Sequence, residues 1–354
     1  LEQSGQLYQL NRQSGVVDTV RLHIPAKNGA LLEMEEALLL SYDPIRNALW
    51  GCAQQQSQRN YGMLFRYDIA TCQTYVFDYP GGVFTGLVVR PDGRIFLAAE
   101  TSNQNGVLVE FAELAGGFRL LLDQDRENFL RGTSPQCLQL ANNGELLIGT
   151  KRDGLFIYHI DQRTVKALSL QPGTEEDIIF NDYAINVIHE AEDGMLWVGT
   201  RGGLLHFDPK QERLLNHYGR NNGLSSNLIV GILPDSSGGF WLSTFNGISH
   251  IQPGPKPLFR RYYRADGLSN DEFEKYAYHL GQDGRYYFGG INGLTVFYPH
   301  ELASGRLDAN VVLTEISLYG RGQPRLLNKD LDELEEVVVR PNEKGIAVSF
   351  ALPA

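Results

Sequence analysis

An all-β fold is what this 354-residue chain predicts, and three observations predict it. A short motif recurs six times, helical periodicity is nearly absent, and Asp-Gly or Asn-Gly turns fall between short apolar runs. The motif is a turn, then a three-residue apolar or aromatic centre, then Gly or another small residue. Its central position falls at Trp50, Phe96, Leu147, Trp197, Trp241 and Tyr287, at intervals of 46, 51, 50, 44 and 46 residues. Radially stacked sheets repeat at roughly 40 to 50 residues. The prediction is therefore a seven-bladed β-propeller of four-stranded blades over residues 1–299. The first strands of an Ig-like β-sandwich follow over 300–354.

Taken in order, residues 6–10 and 16–24 read as the outer two strands of a leading half-blade. The best helical spacing, Leu31 to Leu39, is brief and leads straight into a strand. In five of the six units a Gly-containing turn supplies the positive φ of a tight hairpin joining strands A and B. A polar loop then leads to a third strand, such as Gly203 to Phe207, and Asp-Pro or Asp-Gln turns the chain into a more polar fourth. The last unit, Tyr276 to Tyr298, carries three strands. Either the N-terminal segment fills its outer position and closes the ring, or that segment belongs to a separate blade. From His300 the motif stops, and residues 311–318, 335–340 and 345–352 alternate as strands. Trp50, Trp197 and Trp241 share one blade position, which marks them as core between blades.

Composition narrows the function. The 31 basic and 42 acidic side chains leave a net charge of −11, with no basic tract, which argues against a nucleic-acid surface. No run approaches the roughly 18 apolar residues of a membrane helix. Cys52, Cys72 and Cys137 make an odd count without CxxC spacing, so neither a zinc knuckle nor a disulfide framework is expected. The chain starts at Leu1 without a leader pattern and is expected to be a piece of a longer protein, any membrane contact being made by segments outside it.

In a propeller the D-to-A and B-to-C connections share one rim around the central channel, where distant loops can meet one ligand. Arg131, Lys151, Arg152, Arg201 and Lys275 fall in those loops and place positive charge on one face of an acidic protein, which suits an anionic sugar. Tyr183, Phe245 and Phe273 are candidate flat faces for sugar rings, and Asn181, Asp182, Asn227 and Asn246 candidate partners for hydroxyls. The competing assignment is solvated loop charge, inter-blade packing and turn capping. Among the eight histidines, His159 and His206 read as equivalent strand positions. His189 with Glu190, or His279 with Glu274, is the nearest approach to an acid–base pair, although neighbours on a strand face opposite ways. No HExxH, serine elbow or phosphate loop is present. No cofactor, no metal and no catalysis are expected, a metal-assisted propeller lyase being the minor alternative.

Residues 185–188, Glu192 to Thr200, Gly203-Leu204 and Phe207-Asp208-Pro209 together resemble the two-component regulator propeller repeat. Gly223-Leu224-Ser225 and Gly267-Leu268-Ser269 resemble the segment that links its blades, and residues 287–299 resemble the closing blade. Residues 311–314 and 349–351 resemble the start of the triple-tyrosine sandwich domain; residues 1–140 carry the likeness mainly by period. The resemblance implies the periplasmic sensor of a membrane-bound histidine kinase that detects an oligosaccharide or other small ligand. It also implies a sandwich that dimerises and passes the signal to a membrane helix. A propeller scaffold for protein partners or self-association is the alternative.

Overall fold

The computed structural model describes residues 7–11, 17–20, 24–25, 31–32, 36–54, 62–79, 82–101, 105–114, 117–120, 130, 132–168, 184–302, 312–320, 323–327, 331 and 336–351. The chain divides into two compact units, Leu1–Phe297 and Tyr298–Ala354.

In the first unit six consecutive antiparallel sheets stack with their first strands side by side in chain order, as propeller blades do. Blade I runs Glu36–Asp43, Ala48–Gln54, Gly62–Asp68 and Gln73–Tyr79 as strands A to D. Blade II follows with Val83–Val89, Ile95–Glu100, Gly106–Leu114 and Gly117–Leu120. Blade III is Pro135–Leu140, Leu146–Thr150, Leu155–His159 and Thr164–Leu168. Blade IV is Ile185–Glu190, Leu196–Thr200, Leu204–Asp208 and Arg213–Tyr218. Blade V is Ile229–Pro234, Phe240–Thr244, Ile248–Gln252 and Leu258–Tyr262. Blade VI has three strands, Phe273–Leu280, Tyr286–Gly290 and Gly293–Phe297.

Each blade forms for local reasons. In blades II to VI the A–B hairpin holds a glycine at φ between 79° and 86°, Gly93, Gly144, Gly194, Gly238 and Gly284. Its N–H donates three residues back, as from Gly194 to the Ala191 carbonyl at 2.9 Å. That is a type I turn closed by a left-handed residue, a conformation costly for any side chain bearing Cβ. Asn47, at φ 47°, does the same in blade I. The six motif centres all sit in strand B, and the three tryptophans are at most 3% exposed. Trp197 packs on Phe240 of the next blade, and Trp241 on Tyr286 and Phe297 of the next, so the tryptophans do weld neighbouring blades. The buried clusters likewise span blades I–II, II–III, III–IV and IV–V.

Several expectations are corrected. Residues 31–32 and 36–43 are strand, so the brief helical spacing at Leu31–Leu39 loses to sheet pairing. Leu7–Leu10 and Val17–Val20 pair only with each other; the described hairpin does not complete blade VI. His206 lies opposite Trp197 and its counterpart opposite Trp241 is His250, while blade III puts Ile157 there, so His159 is not equivalent. In the second unit the sheet order is Arg325–Leu327, Val312–Gly320, Glu343–Ala351. Residues 336–340, expected as strand, are not: the Val338 carbonyl is taken by the Arg325 guanidinium at 2.7 Å, which also grips Glu343 at 2.8 Å.

Candidate functional site at the channel rim

The two loop sets meet. In blades III to VI the first residue after strand B donates its N–H to a carbonyl beside the start of strand A. The pairs are Lys151 to Ser134 at 2.8 Å, and Arg201 to Ala184, Phe245 to Leu228 and Ile291 to Glu272 at 3.3 Å. One rim therefore carries both connections of blades III to VI. Hydroxyls brace it: those of Thr150, Thr200 and Thr244 donate to the carbonyls of Gly154, Gly203 and Gly247. The Gly-Leu-Ser segments lock the incoming loop to strand C, with the Ser225 N–H on Ser249 Oγ and the Ser269 N–H on Thr295 Oγ1.

Blade VI departs from this regularity at the channel. Phe273 pairs with Gly290 and Tyr278 with Phe288, so residues 274–277 face Gly289 alone. The bulge turns on Tyr276 at φ 62°, a left-handed conformation costing a non-glycine residue about 1–3 kcal/mol. What holds it is reach across the channel. The Tyr276 phenol donates to the carbonyls of Thr85 in blade II and Gln136 in blade III, at 2.9 and 2.5 Å. Its ring packs on the cluster between blades I and II. Burial pushes the phenol far above its ordinary pKa, so the donor proton stays.

The same bulge delivers Lys275. Its Nζ donates to Gln136 Oε1 at 3.1 Å. Burial lowers its pKa, and the charges of Arg201 and Lys151 lower it further. Lys275 of blade VI thus feels two of the other predicted cations, Lys151 of blade III and Arg201 of blade IV. Beside them Cys137 is buried, and burial pushes its thiol up to about 12, so it brings no neutralising thiolate.

Strands A of blades I, II, III, IV and VI line a cavity of about 210 Å³. Its walls include Leu39, Leu87, Cys137, Asn186, Tyr276 and Tyr278. Asn186 is 2% exposed; its Nδ2 donates to the Ile229 carbonyl at 2.9 Å, while its Oδ1 has no partner.

The other predicted residues divide. Arg131, Asn181, Asp182 and Tyr183 lie outside the described residues. Arg152 is exposed. Phe245 is 41% exposed, with Asn246 beside it. Phe273 is not a rim face: it is 0% exposed and packs edge-on against Phe288, because the bulge begins after it and leaves it in the blade interior. Asn227 is committed to structure, its Oδ1 accepting from the Arg220 N–H at 2.7 Å. Asp271 does the same for Arg264 one blade later. Sequence reasoning missed Tyr276, Gln136 and Asn186, each an ordinary strand residue without a neighbouring signal.

The histidines do not converge. His189 sits edge-on to Phe240, burial lowering its pKa, while Glu190 faces away and accepts from the Asn142 N–H at 2.6 Å. His206 stacks on Trp197 at 4.2 Å, and His250 packs tilted on Trp241 at 4.4 Å. Among the described residues no three His, Cys, Asp or Glu side chains gather as metal ligands do.

No protein-family model matches the chain, and no curated protein matches it in sequence. Solved structures do. The extracellular domain of BT4673 from B. thetaiotaomicron, described as a one-component system, is 18% identical with TM-score 0.57, covering 88% of this chain and 40% of its own. Streptogramin B lyase is 11% identical with TM-score 0.55, covering 83% of this chain and 86% of its own. U3-55K is 10% identical with TM-score 0.58, covering 83% of this chain and 89% of its own. This chain thus spans well under two thirds of the BT4673 domain. At these identities the likeness establishes the β-propeller fold, which the extracellular domain of a one-component system and a lyase both use.

Proposed function

We propose that the chain is an extracytoplasmic ligand-sensing domain of a bacterial two-component regulator, reading an oligosaccharide at the propeller rim. The observation that carries this is the rim itself, where the loops bearing Lys151 and Arg201 close on blades III and IV and Lys275 of blade VI reaches Gln136 of blade III, next to a partly polar cavity. The likeness to the BT4673 extracellular domain supports the sensor reading, and the sequence likeness to the regulator propeller repeat agrees with it. In this reading the ring has seven blades and the region from residue 300 is the start of a sandwich. That sandwich dimerises in the full-length receptor and hands the signal to a membrane helix and kinase. The protein is then periplasmic and this part of it non-catalytic.

The test is calorimetric titration of the purified chain with a glycan panel, paired with a reporter driven by the full receptor. Binding by the chain of the glycans that drive the reporter supports the proposal. A receptor that responds to a glycan the chain does not bind would sink direct sensing here. It would favour the scaffold alternative, in which the rim holds a protein.

A further inference from the structure

We infer that the rim site selects an oxyanion, a carboxylate or a sulfate ester, held between Lys151, Arg201 and Lys275. The body that carries the anion is no larger than one sugar residue and sits against Cys137, Asn186 and Tyr276. This deepens the proposed function and rests on the rim being the ligand face.

Charge balance is the first argument. The chain carries a net −11, yet none of the three cations has a carboxylate partner among the described residues. An ammonium has three N–H donors, and Lys275 spends one on Gln136. Like charges drawn together without a counter-ion raise the energy of the empty site, and an anion bound among them recovers that energy. Lys151 and Arg201 are exposed at the loop tips, so no chain movement is needed to admit it.

Backbone placement is the second. Lys275 reaches the rim only because the blade VI bulge holds Tyr276 in a left-handed conformation, pinned on blades II and III. Such strain persists where the surroundings over-determine it, as at ligand sites. Gln136 and Tyr276 are each one residue from a partner in this arrangement: Gln136 precedes the cavity residue Cys137, and Lys275 precedes Tyr276. Lys275 therefore stands at the cavity's edge, one residue along the chain from the lining residue Tyr276, and is held by Gln136, one residue from the lining residue Cys137.

Size and polarity are the third. At about 210 Å³ the cavity falls below the roughly 300–1,000 Å³ of sites that engulf larger ligands, so it takes an end group rather than a chain. The buried Asn186 carbonyl oxygen without a donor asks for a hydroxyl or an N–H, which a sugar acid or a sulfated sugar has and a bare sulfate ion lacks.

The experiment titrates the purified chain with sodium sulfate, sodium glucuronate and glucose at constant ionic strength set with sodium chloride, following Tm and calorimetric heat. The double variant Lys151→Ala/Arg201→Ala is run in parallel; both side chains are exposed and their removal relieves like-charge repulsion, so its Tm without ligand should be no lower than the wild type's. The wild type should bind sulfate and glucuronate and not glucose, and the double variant should bind each anion at least about tenfold more weakly. Tighter glucuronate than sulfate assigns a sugar acid; the reverse order assigns the anion alone. No heat with either anion, or equal affinity in the variant, overturns the inference. Anion binding lost while panel glycans still bind leaves the sensor reading standing, and the opposite result removes that reading while keeping the anion site.

Discussion

The phenol of Tyr276 in blade VI donates to the Gln136 carbonyl in blade III at 2.5 Å, with the Thr85 carbonyl of blade II 2.9 Å away. One side chain thus ties three blades across the channel. Tyr276→Phe keeps the ring and its packing and removes the donor from two carbonyls. It should cost about 1–3 kcal/mol, read as a lower urea midpoint at unchanged m value. An unchanged midpoint would mean that water replaces the phenol at no loss.

The blades were legible in the sequence because their information is local. A hairpin turn, an apolar or aromatic centre such as Trp197 or Trp241 and a small residue two positions on recur in every unit of the repeat. The channel was not legible, because it depends on which residues face each other across blades. Nothing in Glu274-Lys275-Tyr276-Ala277 announces a bulge: no Gly or Pro marks it, and the left-handed residue is a tyrosine. Of the site, Lys151, Arg201 and Lys275 were found from loop position and charge, whereas Phe273 was misplaced by a single step into the strand.

Two glycines of blade IV should fail for different reasons. A Cβ at Gly199 would lie 2.5 Å from Val187 Cγ1 and 2.8 Å from Ile229 Cγ2, so Gly199→Ala overpacks the contact with blade V and should cost about 1–3 kcal/mol. Gly194 has no atom within 4 Å of that position but sits at φ 79°. Gly194→Ala should cost about 1 kcal/mol, and Gly194→Asn less, since Asn tolerates the left-handed region. Matching losses for Gly194→Ala and Gly194→Asn would remove the backbone explanation.

Phe273 and Phe245 looked alike as candidates and should now separate. Phe273→Ala empties a fully enclosed site and should cost about 3–5 kcal/mol. Phe245→Ala, at a loop tip, should stay within about 0.5 kcal/mol and change only ligand affinity. Thermal unfolding of the two variants decides, and a Phe245 variant that unfolds as early as the Phe273 variant would contradict the rim placement.

Lys275 links pH to both stability and binding. Burial, with Arg201 and Lys151 adding to it, holds its pKa below the ordinary 10.5, and the nearby Cys137 thiol is neutral over most of that range. Between its folded value and 10.5 the unfolded chain binds more protons than the folded one, so this residue's contribution to stability rises with pH across that window. Anion affinity should move the other way, falling as the ammonium deprotonates below 10.5. Lys275→Met should therefore flatten the difference in urea midpoint across the alkaline range and remove the matching fall in sulfate affinity. Other groups titrate there too, so the quantity that decides is the wild-type profile minus the variant profile. A flat difference in stability would show that Lys275 titrates as a free lysine and does not sit among uncompensated charges.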